Sequence, residues 1–321
     1  FLTAALLLAL MPVRRLCLKT ADIAGTKAVR IIKGAAVILP ILAIFGNPFI
    51  YYPGENRFGV LAAPPYYDGW HDTFDRYRPP IHVKSRGYGF RDADFSDGNE
   101  EGTRRAVIIG DSFVYGTGIP DEEMMIDRLL EKSLKQKSGS EWEVLNFGFY
   151  GLGLRSYWKV AGKVLDALRT DLIIICTLGL YDFDFFSAQT IYDDFGNAAY
   201  RIFSALGVVD DLHSATIRYR MGREFSASET ALFSDGLESL IQKTGEKGIP
   251  LVIWEYYEPF RFFDRYRQSK NIYFTTWDKP FDAKGWFDDP KYTIPFDRHP
   301  TGAANEIMAY TLSERILQII K

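Results

Sequence analysis

From Arg105 to the C-terminus, short apolar runs alternate with stretches whose apolar residues recur every three to four positions. That alternation constrains the fold more than any other feature. "AVIIG" (106–110), "WEVLNFG" (142–148), "TDLIIICTLG" (170–179) and "IPLVIWEYY" (249–257) read as strands. The third is an unbroken run of the kind found in strands buried on both faces. Residues 121–137, 154–169, 228–248 and 302–321 read as helices; the first opens on acids and ends on lysines, and Gly248 closes the third. Strands alternating with helices predict an α/β fold, a doubly wound parallel sheet covered on both faces. Such sheets hold their ligands at the carboxyl ends of the strands.

The 321 residues leave room for this domain and an appendage. The first 52 residues differ in character. "FLTAALLLALMPV" is apolar from its first residue and reads as the tail of a transmembrane helix or signal-type region, cut off at its left end. A basic stretch follows, in which Arg14, Arg15, Lys19, Lys27, Arg30 and Lys33 face a single acid, Asp22. Gly34 to Tyr52 then runs for 19 residues without a charge, about the length a bilayer core requires. Two membrane segments joined by a basic loop place that loop in the cytoplasm and carry the rest of the chain outward. The expected organisation is therefore 1–52 as a membrane-anchoring hairpin, 53–104 as linker and irregular covering segment, and 105–321 as the α/β domain. Within the covering segment, Asp92, Asp94, Asp97, Glu100 and Glu101 read as a solvated acidic loop.

Composition removes several function classes. A net charge of −3 offers no basic field for nucleic acid. Cys17 and Cys176 make neither a zinc pattern nor an expected disulfide, since Cys176 sits inside a strand as a small hydrophobe. Asp182, Asp184, Asp193 and Asp194 are interleaved with phenylalanines and read as a solvated insertion, not a metal site. The Gly110–Gly118 loop has no lysine after its glycines, and Asp111 opposes an anion, so it is no phosphate cradle. No cofactor or metal is expected. Aromatic residues are plentiful at 15%, as packing mass or as a surface that stacks on sugar rings or acyl chains.

Within "VIIGDSFVYGTG", Ser112 directly follows the first strand, where ligands are expected. A serine hydroxyl becomes a nucleophile only when a base takes its proton. Of the four histidines, His71 and His82 lie in the linker and His213 in the insertion. His299 lies in "FDRHPTGAA", immediately before the last helix, with Thr301 a competing cap for that helix. Asp297, two residues upstream, projects to the same side of an extended segment and can fix the imidazole tautomer. "NFGFYGLG" brings Gly148, Gly151 and Gly153 after the second strand, where main-chain N–H groups can approach a substrate unobstructed.

Taken in order, "GDSFVYGTG", "NFGFYGLG" and "DRHP" resemble the SGNH/GDSL hydrolase family over roughly Lys84 to the C-terminus. "SRGYGFRDADF" and "IPDEE" resemble its bacterial membrane-associated branch. The resemblance implies a flavodoxin-like sheet, with Ser112 as nucleophile, His299 as general base and Asp297 as its orienting acid. It also implies an oxyanion hole built from the N–H groups of Ser112 and Gly151. The family's third oxyanion donor is an asparagine after the third strand. Here that stretch is "LGLYDFDF", with Tyr181 in the asparagine's place and Asp182 beside it. Losing an oxyanion donor typically costs about a hundred- to a thousand-fold in turnover, and a carboxylate there repels the developing charge. A second departure is that the acid stands two residues before the histidine, where many members have three.

The expected function is a membrane-anchored serine esterase whose hydrolase domain faces out of the cytoplasm, acting on a small-molecule or glycan O-acyl ester, with an envelope glycan or a lipid as the candidate carriers of the acyl group. One alternative is a catalytically weakened relative that binds a glycan or a partner, for which Tyr181 is the best support. Another is an O-acyltransferase using the same triad.

Overall fold

A computed structural model describes residues 54–59, 61–62, 65–71, 81–92, 94–183, 227–257, 259–276, 289–295 and 299–320. All belong to one compact unit, Pro53–Asp184 together with Tyr219–Lys321. The apolar segments of residues 1–52 and the insertion carrying Asp184, Asp193, Asp194 and His213 lie outside the described residues. Among the described residues no helix is long and apolar enough to cross a membrane.

The strand–helix alternation folds as a five-stranded, all-parallel sheet. Two hairpins precede it, β1 (Gly54–Glu55) with β2 (Leu61–Ala62) and β3 (Asp68–His71) with β4 (Ile81–Lys84). The sheet strands are β5 (Arg104–Gly110), β6 (Trp142–Gly148), β7 (Leu172–Thr177), β8 (Leu251–Glu255) and β9 (Ile272–Thr275). Their spatial order is β6-β5-β7-β8-β9. The chain leaves β5 for one neighbour and later returns to its other side. The crevice at the carboxyl end of β5 is therefore the switch point where such sheets bind ligands.

Side-chain alternation divides the core into two layers. One face of the sheet, with Ala106, Ile108, Val144, Ile174, Cys176, Val252 and Trp254, forms a continuous buried cluster with α2 (Ile126–Ser138) and α5 (Gly302–Ile319). The opposite face packs on α3 (Leu154–Ala167), which in turn packs on α4 (Ala227–Lys247). Gly248 ends α4 in the left-handed conformation at φ +66°, as its sequence position predicts.

Three features depart from the sequence reading. The stretch 121–137 is interrupted: Asp121 accepts from the Glu123 N–H and starts a 3-10 turn over Glu122–Met124, and α2 begins only after extended Met125. Strand β9 is too short and too isolated in pattern to be legible in the sequence. The covering segment is not merely linker, because Phe90, Arg91 and Asp92 are buried under the sheet's carboxyl edge, whereas Asp94, Asp97, Glu100 and Glu101 are exposed.

Candidate active site

Strand β5 ends at Gly110, and one residue later the four-residue helix α1 (Ser112–Tyr115) begins. Asp111 caps it, its carboxylate accepting from the Phe113 N–H at 2.9 Å. Gly116, at φ +76°, ends it and donates its N–H to the Ser112 carbonyl. So short a helix sits directly on the ends of β5 and β6, and that close approach requires glycine beneath it. A Cβ on Gly148 would fall on the Tyr115 nitrogen and 2.7 Å from the Val114 carbonyl carbon, and one on Gly110 would strike the Val114 side chain.

His299 is delivered by the segment before α5. Thr293 bridges Pro300, Ile294 donates its N–H to the His299 carbonyl at 2.9 Å, and the Thr301 N–H donates to the Tyr292 carbonyl at 3.0 Å. The cap of α5 is Thr301, whose hydroxyl accepts from the Ala304 N–H, so His299 is not spent on capping. Its Nε2 lies 2.7 Å from Ser112 Oγ, and its ring packs against Phe113 with centroids 4.7 Å apart. Both residues are partly exposed. The structure thus joins two groups 187 residues apart in the chain. Asp297 lies outside the described residues.

Gly151 follows β6 in a left-handed conformation, φ +72°, within a turn closed by the Leu152 N–H donating to the Phe149 carbonyl. On the other side of β5, a 3-10 turn over Gly179–Asp182 follows β7. Here the structure corrects the expectation of a carboxylate facing the oxyanion. Asp182 is turned into the protein, where its oxygens accept from the Leu178 N–H at 2.5 Å and from the Tyr157 hydroxyl at 3.0 Å. Burial pushes its carboxyl up to about 7. Tyr181 faces outward instead, 43% exposed, with its ring 5.9 Å from that of Tyr257. Among the described residues no hydrogen bond joins its hydroxyl to Ser112 or His299. Tyr257 in turn lies 6.2 Å from Phe113, so an aromatic strip leads from Tyr181 to the serine–histidine pair.

No family model matches the chain, and no curated protein does. The chain is similar to solved structures, several of them described as esterases or a lipase. One described as TesA is 16% identical over 68% of this chain and all of its own length, with a TM-score of 0.43. A two-domain esterase active on acetylated mannans is 11% identical, TM-score 0.44, over 68% of this chain and half of its own. AlinE4, an SGNH-hydrolase family esterase, is 16% identical over 70% of this chain and all of its own, with a TM-score of 0.38.

Four residues that the sequence reading did not place at the site complete the surroundings. Arg91, fully buried, donates to the carbonyls of Gly116 at 2.8 Å and Ile119 at 2.6 Å, pinning the loop that leaves α1. Burial lowers its pKa. Asp92 accepts from the Asn146 N–H at 2.7 Å and pairs with Arg128. Asn146 and Asp127 are buried beside them, 2.7 Å apart. A signal existed for one of them: Asn146 is the lone amide, set between apolar residues of the strand "WEVLNFG", and a buried amide implies a specific set of partners.

Proposed function

We propose that this chain is a serine esterase of the SGNH/GDSL type that hydrolyses an O-acyl ester. The observation that carries the reading is the 2.7 Å contact between His299 Nε2 and Ser112 Oγ at the carboxyl end of β5. In this reading Ser112 Oγ attacks the acyl carbon while its proton passes to His299 Nε2, which requires the imidazole to carry its other proton on Nδ1. Asp297 holds that tautomer. The N–H groups of Ser112 and Gly151 receive the oxyanion, and the Tyr181 hydroxyl stands in for the missing amide when substrate is bound. The tetrahedral intermediate collapses to an acyl-serine, and His299 returns the proton to the departing alcohol. Water then attacks the acyl-serine with His299 again as base, releasing the carboxylic acid and free serine.

The acyl group sits on an envelope glycan. Support comes from the outward-facing Tyr181 ring with Tyr257 beside it, exposed aromatic surface of the kind on which a sugar ring stacks. Residues 1–52 anchor the chain in the membrane, and the basic loop from Arg14 to Lys33 keeps its own side cytoplasmic, so that the hydrolase domain faces outward.

The test is labelling of the detergent-solubilised protein with a fluorophosphonate, followed by mass mapping of the adduct. An adduct on Ser112 that disappears in His299→Ala supports an activated nucleophile. No adduct on folded protein favours a second reading, a relative that binds glycan without cleaving it. That reading draws on the Tyr181 hydroxyl, which has no hydrogen bond to Ser112.

A further inference from the structure

We infer that Asn146 is a positioning residue that locks the nucleophile helix to the glycine loop; the inference rests on the reading of Ser112 as nucleophile. Both ends of the Asn146 side-chain amide, and its backbone N–H, are engaged. Its Nδ2 donates to the Val114 carbonyl at 2.8 Å and to Asp127 Oδ1 at 2.7 Å. Its Oδ1 accepts from the Gly148 N–H at 2.9 Å, and its own N–H donates to Asp92 Oδ2 at 2.7 Å. The amide's orientation is fixed by its partners, because a carbonyl can only accept and a backbone N–H can only donate.

The two backbone partners belong to different parts of the site. Val114 lies in the four-residue helix that starts at Ser112, and its carbonyl is among those a helix end leaves without an intrahelical partner. Gly148 opens the loop that reaches Gly151. One planar amide therefore sets the distance between the nucleophile's helix and the loop that carries an oxyanion donor. Asn146 is itself held by a closed ring. Asp127 and Asp92 both engage Arg128, whose Nε lies 3.4 Å from Asp127 Oδ2, and both carboxylates hold Asn146. Asn146, Asp127 and Asp92 are buried, so these bonds form where water does not compete for them. Asparagine suits the position because it offers two donors and an acceptor in one plane, a set that no hydroxyl or carboxylate provides.

The test uses the full chain with two variants. Asn146→Asp removes both donors and sets a carboxylate against Asp127 and the Val114 carbonyl. Asn146→Asp with Asp127→Asn restores the bond to residue 127 in reverse and keeps the Gly148 bond, so that of the side-chain bonds of residue 146 only the Val114 link is broken, while the ion pair between residue 127 and Arg128 is also lost. The expected result is that Asn146→Asp slows fluorophosphonate labelling of Ser112 roughly ten- to hundred-fold, the effect of a small misplacement of reacting groups, with little change in the probe's apparent affinity. The double variant recovers the melting temperature but not the labelling rate. Labelling by the double variant at the wild-type rate overturns the inference, and so does wild-type labelling by Asn146→Asp. If Asn146→Asp does not fold, the double variant decides alone.

Amide hydrogen exchange separates this inference from the esterase reading. Failure of the wild-type protein to label counts against the esterase, and exchange then reads the lock directly. Asn146→Asp accelerates exchange over 113–117 and 148–151 together, and the double variant leaves 148–151 protected while 113–117 stays fast. A uniform change, or none, removes the lock.

Discussion

At the residue scale, the site depends on atoms that are absent as much as on those present. Gly148 has no room for a methyl group, because the nearest atoms are main chain of α1 that cannot step aside. Gly148→Ala should lower stability by about 1–3 kcal/mol, as overpacking does, and displace α1. Thermal melting and the labelling rate of Ser112 together check this, and a wild-type rate with unchanged melting would contradict it. Asp182 makes a prediction with a sign. Its folded carboxyl titrates near 7, above the ordinary 3.8, so between about pH 4 and pH 7 the folded state binds more protons than the unfolded state. The stability it contributes is full below pH 4 and is lost as pH rises through 7. Asp127, raised to about 6 by burial, acts in the same direction. Denaturant unfolding from pH 4 to 8 should show a shallower fall for Asp182→Asn than for the wild type. An identical slope would mean that Asp182 is already ionised in the folded protein at low pH.

At the scale of elements, the segment ahead of the sheet is part of the site. Phe90 packs on Phe147 of β6 with ring centroids 4.3 Å apart, Arg91 holds two carbonyls of the loop after α1, and Asp92 holds the backbone of β6. Arg91→Met keeps much of the apolar stem but leaves the Gly116 and Ile119 carbonyls without these donors. The Gly116 carbonyl still accepts from the Ile119 N–H, so one buried carbonyl is left unsatisfied and a loss of about 1–3 kcal/mol is expected, with faster amide exchange over 116–119. Melting at an unchanged temperature would show that those carbonyls find other partners. A similar device shapes the far wall. Buried Glu255, the last residue of β8, takes both terminal nitrogens of Arg267 at 2.8 and 2.9 Å and accepts from the Phe260 N–H. It thereby fixes the turn that presents Tyr257 beside Phe113.

At the scale of the whole molecule, parallel strands place β5, β6 and β7 with their carboxyl ends together, so the loops after all three converge on one rim. Ser112 follows β5, Gly151 follows β6, and Tyr181 follows β7. His299 arrives from the segment before the last helix, brought to the same rim by the packing of α5 on α2. The proposed anchor also belongs to this scale. With residues 1–52 in place, the chain should remain in the membrane pellet after alkaline carbonate washing. External protease should digest the hydrolase domain in intact spheroplasts. Release by carbonate would remove the anchor, and protection of the domain would reverse its orientation.

Much of this was legible in the chain. The apolar runs dictated four of the five sheet strands, because a strand buried on both faces leaves an uninterrupted apolar signature, whereas β9 is only four residues long. Ser112 and His299 were legible as candidates, since each follows or precedes a regular element at a position such sheets reserve for ligands. Their contact was not, because nothing local to two residues 187 positions apart encodes a distance of 2.7 Å. Tertiary structure alone turned Asp182 inward and Tyr181 outward, a choice made by donors from Tyr157 and Leu178. It alone made Asp92 a buried partner while Asp94 and Asp97 beside it remained in water. The physical reason is the same in each case. Apolar periodicity is a local property that a chain displays on its own, but the environment of a polar group is decided by whichever distant groups the fold brings within hydrogen-bonding reach.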